Sequence, residues 1–244
     1  MRRYSLKIAY DGTNFSGWQI QKNKRTVQGE IEKSIATVFK SNSQIIIYGA
    51  GRTDSGVHST GQIAHFDIDT KRDLDTIKSS INSKLDNDCK ILMVERVDDD
   101  FHARFDAKSR EYVYQCYPGK SLLFKNQSWY IEDLNIAKLN FLANFFKGDH
   151  DFLSYSKFNP QIKNSVCRIY SCKWIKKRGM VIFKIKSNRF LHNMIRYLVG
   201  TMVYTLTYNK SYIVLEDLLN NPRKRVRLFK APPQGLILTR VNYV

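Results

Sequence analysis

The 244-residue chain contains no run of about 18 apolar residues, which excludes a membrane-spanning helix. Its start, Met1-Arg2-Arg3-Tyr4-Ser5-Leu6-Lys7, has the charge of a secretory signal without the apolar stretch that must follow. A cytoplasmic location is expected. The four cysteines, Cys89, Cys116, Cys167 and Cys172, include no Cys-x-x-Cys pair. That argues against a disulfide framework and against zinc, and makes them small buried hydrophobes. His58, His102 and His150 include no pair at the i, i+4 spacing of a helical zinc site, so no metal is expected. Acidic residues are also scarce, 22 against 40 basic ones, leaving a formal charge of +18.

What is present begins with where that charge lies. Residues 1–107 carry 16 Lys and Arg against 15 Asp and Glu, whereas residues 108–244 carry 24 against 7. A chain so polarised attracts polyanions, and nucleic acid fits better than an anionic membrane because no amphipathic anchor is evident. A generally solvated basic face would leave the same trace. Hydrophobic residues, at 43%, suffice for one large core or two smaller ones.

Periodicity divides the chain into two similar series. Residues 4–10 alternate like a half-buried strand, and Val27, Ile31, Ile35 and Val38 recur at helical spacing. Strands are predicted at 44–49 and 62–68, around a glycine-rich segment. A helix through Leu74, Ile77, Ile81 and Leu85, capped by Asp73, and a strand at 91–97 complete βαββαβ. The second series predicts a strand at 110–117, a helix over 134–146 capped by Asp133, and strands at 168–176 and 180–187. A long helix through Phe190, Leu191, Met194, Ile195, Leu198 and Met202 follows, then a short one near 212–220 and a last strand at 235–243. The expectation is an α/β (α+β) protein of two ferredoxin-like domains with mixed or antiparallel sheets, at 1–107 and 108–244. A ligand cleft between them is expected, since clefts favour domain interfaces. No RNP1-like signature of an RNA-recognition module is present; Arg178-Gly179 fits a hairpin turn better.

Segment 49–58, Gly49-Ala50-Gly51-Arg52-Thr53-Asp54-Ser55-Gly56-Val57-His58, concentrates three glycines, an arginine, an aspartate and a histidine between two strands. The glycines let the chain turn sharply and let another backbone come close. It is not a phosphate-binding Walker loop, for no Gly-Lys-Ser/Thr follows. It is not a dinucleotide fingerprint either, because a strand follows where a helix should open. From spacing alone, Asp54 is a turn or capping residue or a catalytic carboxylate.

Six blocks in register extend the pattern. After Gly49 to His58 come Gly61-Gln62 and His65-Phe66; before it stands Tyr10-Asp11-Gly12-Thr13-Asn14-Phe15-Ser16-Gly17-Trp18-Gln19. Then follow Phe101-His102-Ala103-Arg104-Phe105 with Arg110-Glu111-Tyr112-Val113-Tyr114, and Gly148-Asp149-His150-Asp151-Phe152. Phe190-Leu191-His192-Asn193-Met194-Ile195-Arg196 and Pro233-Gln234-Gly235-Leu236-Ile237-Leu238 complete the order. Together they resemble the tRNA pseudouridine synthase A family over nearly the whole chain.

The resemblance implies a pseudouridine synthase fold and an isomerase that turns uridine into pseudouridine in the tRNA anticodon stem-loop, nominally at positions 38–40. It implies no cofactor and no metal, and a homodimer that cradles tRNA. It makes Asp54 the catalytic carboxylate, which either attacks C1′ or takes a proton from C2′. An ordinary aspartate, with a pKa of ~3.9, is ionised at neutral pH. Arg196 matches the basic residue that pairs with Asp54, although on residue type alone it could face a phosphate. Arg52 matches the arginine that helps extrude the nucleotide, where a phosphate contact or surface ion pair is the alternative. Tyr112 matches the tyrosine that stacks on uracil, and Leu236 lines the pocket or simply belongs to the core. His58 organises backbone or contacts RNA, and Arg104 is a further substrate-binding candidate.

Departures are modest. Ser55 stands where alanine is common, Tyr155 where phenylalanine is usual, and 204–208 lacks a glycine-containing pattern. They leave open which uridines are modified. A noncatalytic RNA-binding protein on the same scaffold fits the composition equally, and the intact Arg52, Asp54, Tyr112 and Arg196 argue against it. The basic second half, with its run Arg223-Lys224-Arg225-Val226-Arg227, leads to a first prediction. Affinity for tRNA should fall steeply, by tenfold or more, between about 50 and 200 mM salt in an anisotropy titration.

Overall fold

The computed structural model describes residues 1–40 and 44–244. In chain order the elements are β1 (Arg2–Tyr10), α1 (Val27–Phe39), β2 (Tyr48–Gly49), β3 (His58–Ile68), α2 (Leu74–Asn82), β4 (Cys89–Arg96) and β5 (Ser109–Tyr117). There follow β6 (Trp129–Tyr130), α3 (Ile136–Asn144), β7 (Gly148–Asp151), β8 (Val166–Lys177), β9 (Met180–Ser187), α4 (Met194–Thr207), α5 (Ile213–Asn220) and β10 (Leu236–Asn242). The chain divides into two compact units, Met1–Lys108 with Ile237–Val244, and Ser109–Leu236. The class is mixed α/β, with mostly antiparallel strands.

In the first unit β1 lies between β4 and β3, antiparallel to both, and β2 adds to the far edge of β3. The order β4-β1-β3-β2 is that of the split-βαβ arrangement. Alternation along β1 sends Tyr4, Leu6, Ile8 and Tyr10 to one face, where they meet Val27, Ile31 and Ile35 of α1 and Ile77 and Ile81 of α2. Both helices are capped as their sequences demand. Thr26 Oγ1 accepts from Gly29 N at 3.3 Å, and Asp73 Oδ1 accepts from Thr76 N at 2.8 Å.

A bulge in β3 shapes the end of this sheet where loop 49–58 enters it. Between the pairs Ile8–Gln62 and Tyr10–Ser59, β1 advances two residues while β3 advances three. Ser59 Oγ serves the extra residue, accepting from Gly61 N (3.1 Å) and Gln62 N (2.8 Å) and donating to Leu238 O (3.1 Å). Beside it β10 runs parallel to β3, with Ile237 opposite His58. A Cβ on Gly61 would stand 2.2 Å from Thr239 O, so only glycine lets β10 come this close.

The second unit orders its strands β5-β9-β8-β7, all antiparallel, with β6 parallel to β5. The β8–β9 hairpin turns at Arg178 and Gly179, both with positive φ, as a tight mirror-image turn requires. Helix α3 is tied to the sheet by Asn140, whose amide accepts from Trp174 N and donates to Trp174 O. Trp174 packs on Phe183 and donates from its indole to Met202 Sδ of α4. Among the described residues no helix is long and apolar enough to cross a membrane.

Several expectations are corrected. The strand expected at 44–49 is reduced to Tyr48–Gly49, because the Ile47 amide bonds to the buried Glu32 carboxylate at 2.9 Å rather than to a neighbouring strand. Helix α3 is capped by Asn135, which accepts from Lys138 N; Asp133 has a left-handed φ of 47° and lies before it. Phe190 and Leu191 precede α4 rather than belonging to it, since Asn193 adopts φ 62° and ψ 2° and breaks the helical path. The last strand, read as closing the second half, groups with the first unit from Ile237 onward, unlike the expected 108–244 division. The short β6 and β7 were too brief for periodicity to reveal.

All four cysteines are buried, and burial pushes the Cys89 thiol up to about 12 and Cys116 and Cys172 upward as well. His65 of β3 is buried against Tyr48, with ring centroids 5.1 Å apart, and its Nδ1 accepts the Ala103 N–H at 3.1 Å. Burial first, and the Arg3 charge second, push its pKa down to about 4. The unfolded chain, with an ordinary histidine near ~6.5, takes up a proton that the folded one refuses. This contribution is therefore intact above about pH 6.5 and is lost as pH falls toward 4. Urea unfolding should show stability declining from pH 7 to 5, and His65→Gln should flatten that decline while lowering stability at pH 7.

Candidate active site

Loop 49–58 leaves β2 and re-enters the sheet at His58, and the N-terminal segment 10–18 holds it throughout. Tyr10 Oη and Thr53 Oγ1 share a buried hydrogen bond of 2.8 Å. Trp18 N donates to Thr53 O at 3.1 Å, while Gly56 N and Ser55 Oγ both donate to Phe15 O. Val57 N closes the turn on Asp54 O at 3.2 Å. From the sheet side, Gln62 Nε2 donates to Gly51 O at 2.8 Å, which pins the residue before Arg52. Asp54 is half-buried on a backbone fixed on both sides, and Arg52, two residues before it, is exposed.

Two glycines make this crossing possible. A Cβ on Gly12 would lie 2.1 Å from Val57 O. Gly17, at φ +93°, would place one 2.7 Å from Thr53 O, and its conformation disfavours any side chain. Gly49 is covered by the Trp18 indole, which a Cβ would meet at 2.5 Å. Two sequence blocks, 10–19 and 49–58, therefore form one substructure.

His58 is 4% exposed, and its Nδ1 accepts the Gly12 N–H at 3.0 Å. Asp11 Oδ1 also lies 3.2 Å from the same Nδ1. This is a backbone-organising position. Arg104, also in the first unit, is exposed with its guanidinium 5.6 Å from the Phe105 ring. Its turn is held by His102 Nδ1, which accepts from Arg104 N, and by Asp106, which accepts from His102 N.

Tyr112, Arg196 and Leu236 fall in the second unit. Tyr112 lies on β5 opposite Ile185 of β9, and Phe190 meets it edge to face at 5.2 Å. Leu236, the first residue of β10, is buried. Arg196 sits in the first turn of α4 and is only 8% exposed. A cation there opposes the helix dipole and loses hydration, so its guanidinium calls for hydrogen bonds and an anionic group. Its Nε donates to Ala231 O at 2.8 Å and an Nη to Asn193 Oδ1 at 3.1 Å; its own carbonyl accepts from Ala231 N. One turn on, a Cβ at Gly200 would meet Phe229 O at 2.1 Å, so α4 packs directly on segment 229–231.

Sequence reasoning did not single out Tyr10, Thr53, Phe190, Asn193 or Ala231. The first four stand within the blocks at 10–19, 49–58 and 190–196, which was the available signal; Ala231 left none. Among the described residues no group of three or more His, Cys, Asp or Glu side chains is placed to hold a metal ion.

A family described as tRNA pseudouridine synthase matches residues 7–106 and 142–244, which include Asp54, Arg196 and Leu236. The chain belongs to that family. As a member it is an isomerase. Three relatives are each named tRNA pseudouridine synthase A, and each alignment covers 100% of both chains. Those of Dictyoglomus turgidum, Ruminiclostridium cellulolyticum and Pseudothermotoga lettingae are 40%, 36% and 36% identical to it, respectively.

The loop geometry yields a prediction for the family chemistry. Gly17→Ala should shift the Thr53–Asp54 backbone and, if the loop carries the reacting groups, lower isomerase kcat by about tenfold or more, since a misplacement of about 1 Å can cost a hundredfold. RNA affinity should stay within about twofold. Single-turnover kinetics alongside anisotropy would measure both.

Proposed function

We propose that this chain isomerises uridine to pseudouridine in tRNA, with Asp54 as the carboxylate that opens the glycosidic bond. The observation that carries the reading is the backbone of Asp54, pinned at Gly51, Thr53, Ser55 and Gly56 inside the block that resembles the family's catalytic loop. A carboxylate that must meet one sugar carbon or proton benefits from a frame that does not reorganise during the reaction. Whether it attacks C1′ or removes the C2′ proton, the N1–C1′ bond breaks, the uracil turns and C5 bonds to C1′; C5 then loses its proton and N1 gains one.

The other roles follow the resemblance. Arg52, exposed two residues before Asp54, helps extrude the nucleotide and fill the gap, offsetting a cost of a few kcal/mol. Tyr112 stacks on the uracil, its ring braced by Phe190. Arg196 supplies positive charge to the carboxylate, which fits a buried guanidinium ordered by Ala231 and Asn193. Leu236 contributes apolar wall, and Arg104 and His58 support RNA binding, His58 through the loop. The targets are uridines of the anticodon stem-loop, nominally positions 38–40, and the working form is a cytoplasmic homodimer needing no cofactor.

The test is incubation with an unmodified tRNA transcript followed by mapping of pseudouridine. Wild type should form it in the anticodon stem-loop. Asp54→Asn should bind the transcript with wild-type affinity and lose activity by about a thousandfold or more. Wild type that binds tRNA but yields no pseudouridine would sink the reading, and full activity in Asp54→Asn would remove this residue from the chemistry.

A further inference from the structure

The second unit holds two cations that the proposed chemistry does not use. Lys224 Nζ lies 5.3 Å, and Arg225 Cζ 5.6 Å, from the centroid of one ring, that of Phe158. A ring face attracts a cation, but two cations on the same ring repel each other. Among the described residues neither has a carboxylate within 4.0 Å, whereas the preceding Arg223 pairs with Asp217. The basic run is thus divided. One member is neutralised within the fold, and the next two are exposed and converge without an internal counter-charge.

Their placement is built rather than incidental. Arg223 N donates to Ser154 Oγ at 2.8 Å, which anchors the run at its start. Arg225 adopts φ 59°, a left-handed conformation uncommon for a residue with a long side chain. The half-buried Phe158 follows Lys157, whose amide donates to His192 O at 2.9 Å. His192 adjoins Asn193, the residue that orders Arg196. One backbone hydrogen bond and the Asn193 side chain therefore connect the segment that carries the ring to the turn that carries Arg196.

We propose that Lys224 and Arg225 form a two-cation clamp for the phosphodiester backbone of the RNA substrate, and that Phe158 is the positioning residue that holds them together. A phosphate supplies the negative charge that the fold leaves out, and two ordered cations lose less side-chain freedom on binding than two free ones. The inference rests on the reading of tRNA as substrate. Its particular claim is that removing an uncharged aromatic residue weakens an electrostatic interaction.

Anisotropy titrations of the full chain with an unmodified tRNA transcript, over a series of salt concentrations, test it. Lys224→Ala/Arg225→Ala should bind roughly tenfold more weakly, and the slope of log affinity against log salt should become shallower by about 1.5 to 2. Phe158→Leu, which keeps apolar volume but has no ring, should weaken binding several-fold and reduce the slope by about 1. Phe158→Trp should behave as wild type. The exposed double substitution does not threaten folding, and thermal unfolding checks both Phe158 variants. Wild-type affinity and slope in the double variant, with pseudouridine still formed by wild type, overturn the clamp alone. Loss in the double variant but not in Phe158→Leu overturns the positioning role. Absence of tRNA binding by wild type overturns both the clamp and the substrate reading.

Discussion

Two stretches of backbone touch where segment 10–18 crosses the loop at 49–58, and the first unit is arranged around that approach. Gly12 lies against the Val57 carbonyl and Gly17 against Thr53, both nearer than any β-carbon allows. Hydrogen bonds from Tyr10, Trp18, Ser55 and Gly56 then hold the two stretches in register. The core beneath serves the same end. The apolar face of β1 packs on α1 and α2 and delivers Tyr10 at the strand's end, where its hydroxyl reaches Thr53. Close-packed interiors resist displacement, so a carboxylate carried on such a crossing has little freedom to drift.

The second unit solves a different problem, the placing of positive charge. Arg196 is buried at the end of a helix that disfavours cations, and its hydrogen bonds to Ala231 and Asn193 offset part of that cost. Gly200 permits the close packing that brings Ala231 within reach. Elsewhere in the unit the excess charge is not uniform. Arg168 and Arg223 are matched by Asp149 and Asp217, while Lys224 and Arg225 are gathered over Phe158. The net charge of the half therefore understates how differently its individual cations are used.

Helices with clear spacing were legible in the sequence, as through Val27, Ile31 and Ile35 and in the helix capped by Asp73, because spacing and cap are local signals. The alternation in β1, β5 and β9 was equally legible. Failures fell where a tertiary contact or an unusual backbone conformation overrode the local pattern. Glu32 bonding to Ile47 shortened β2, and the left-handed Asn193 delayed α4 past two residues of helical spacing. The last strand had the right residues in the right place, yet its grouping with β3 depended on Gly61 and Ser59, more than 170 residues earlier. Likewise, the sequence blocks pointed to Asp54 and Arg196, but nothing local to Ala231 marked it as an arginine's partner.

By itself the sequence determined the charge polarity, the two series of strands and helices, and the loop that carries the aspartate. These follow from composition and short-range periodicity, which neighbouring residues enforce. Only the tertiary structure decided that blocks 10–19 and 49–58 are one object, that His58 faces the Gly12 amide, and that one phenylalanine gathers two cations. Those outcomes depend on which backbones can touch. Close packing sets that among residues far apart in the chain, and no local pattern encodes it.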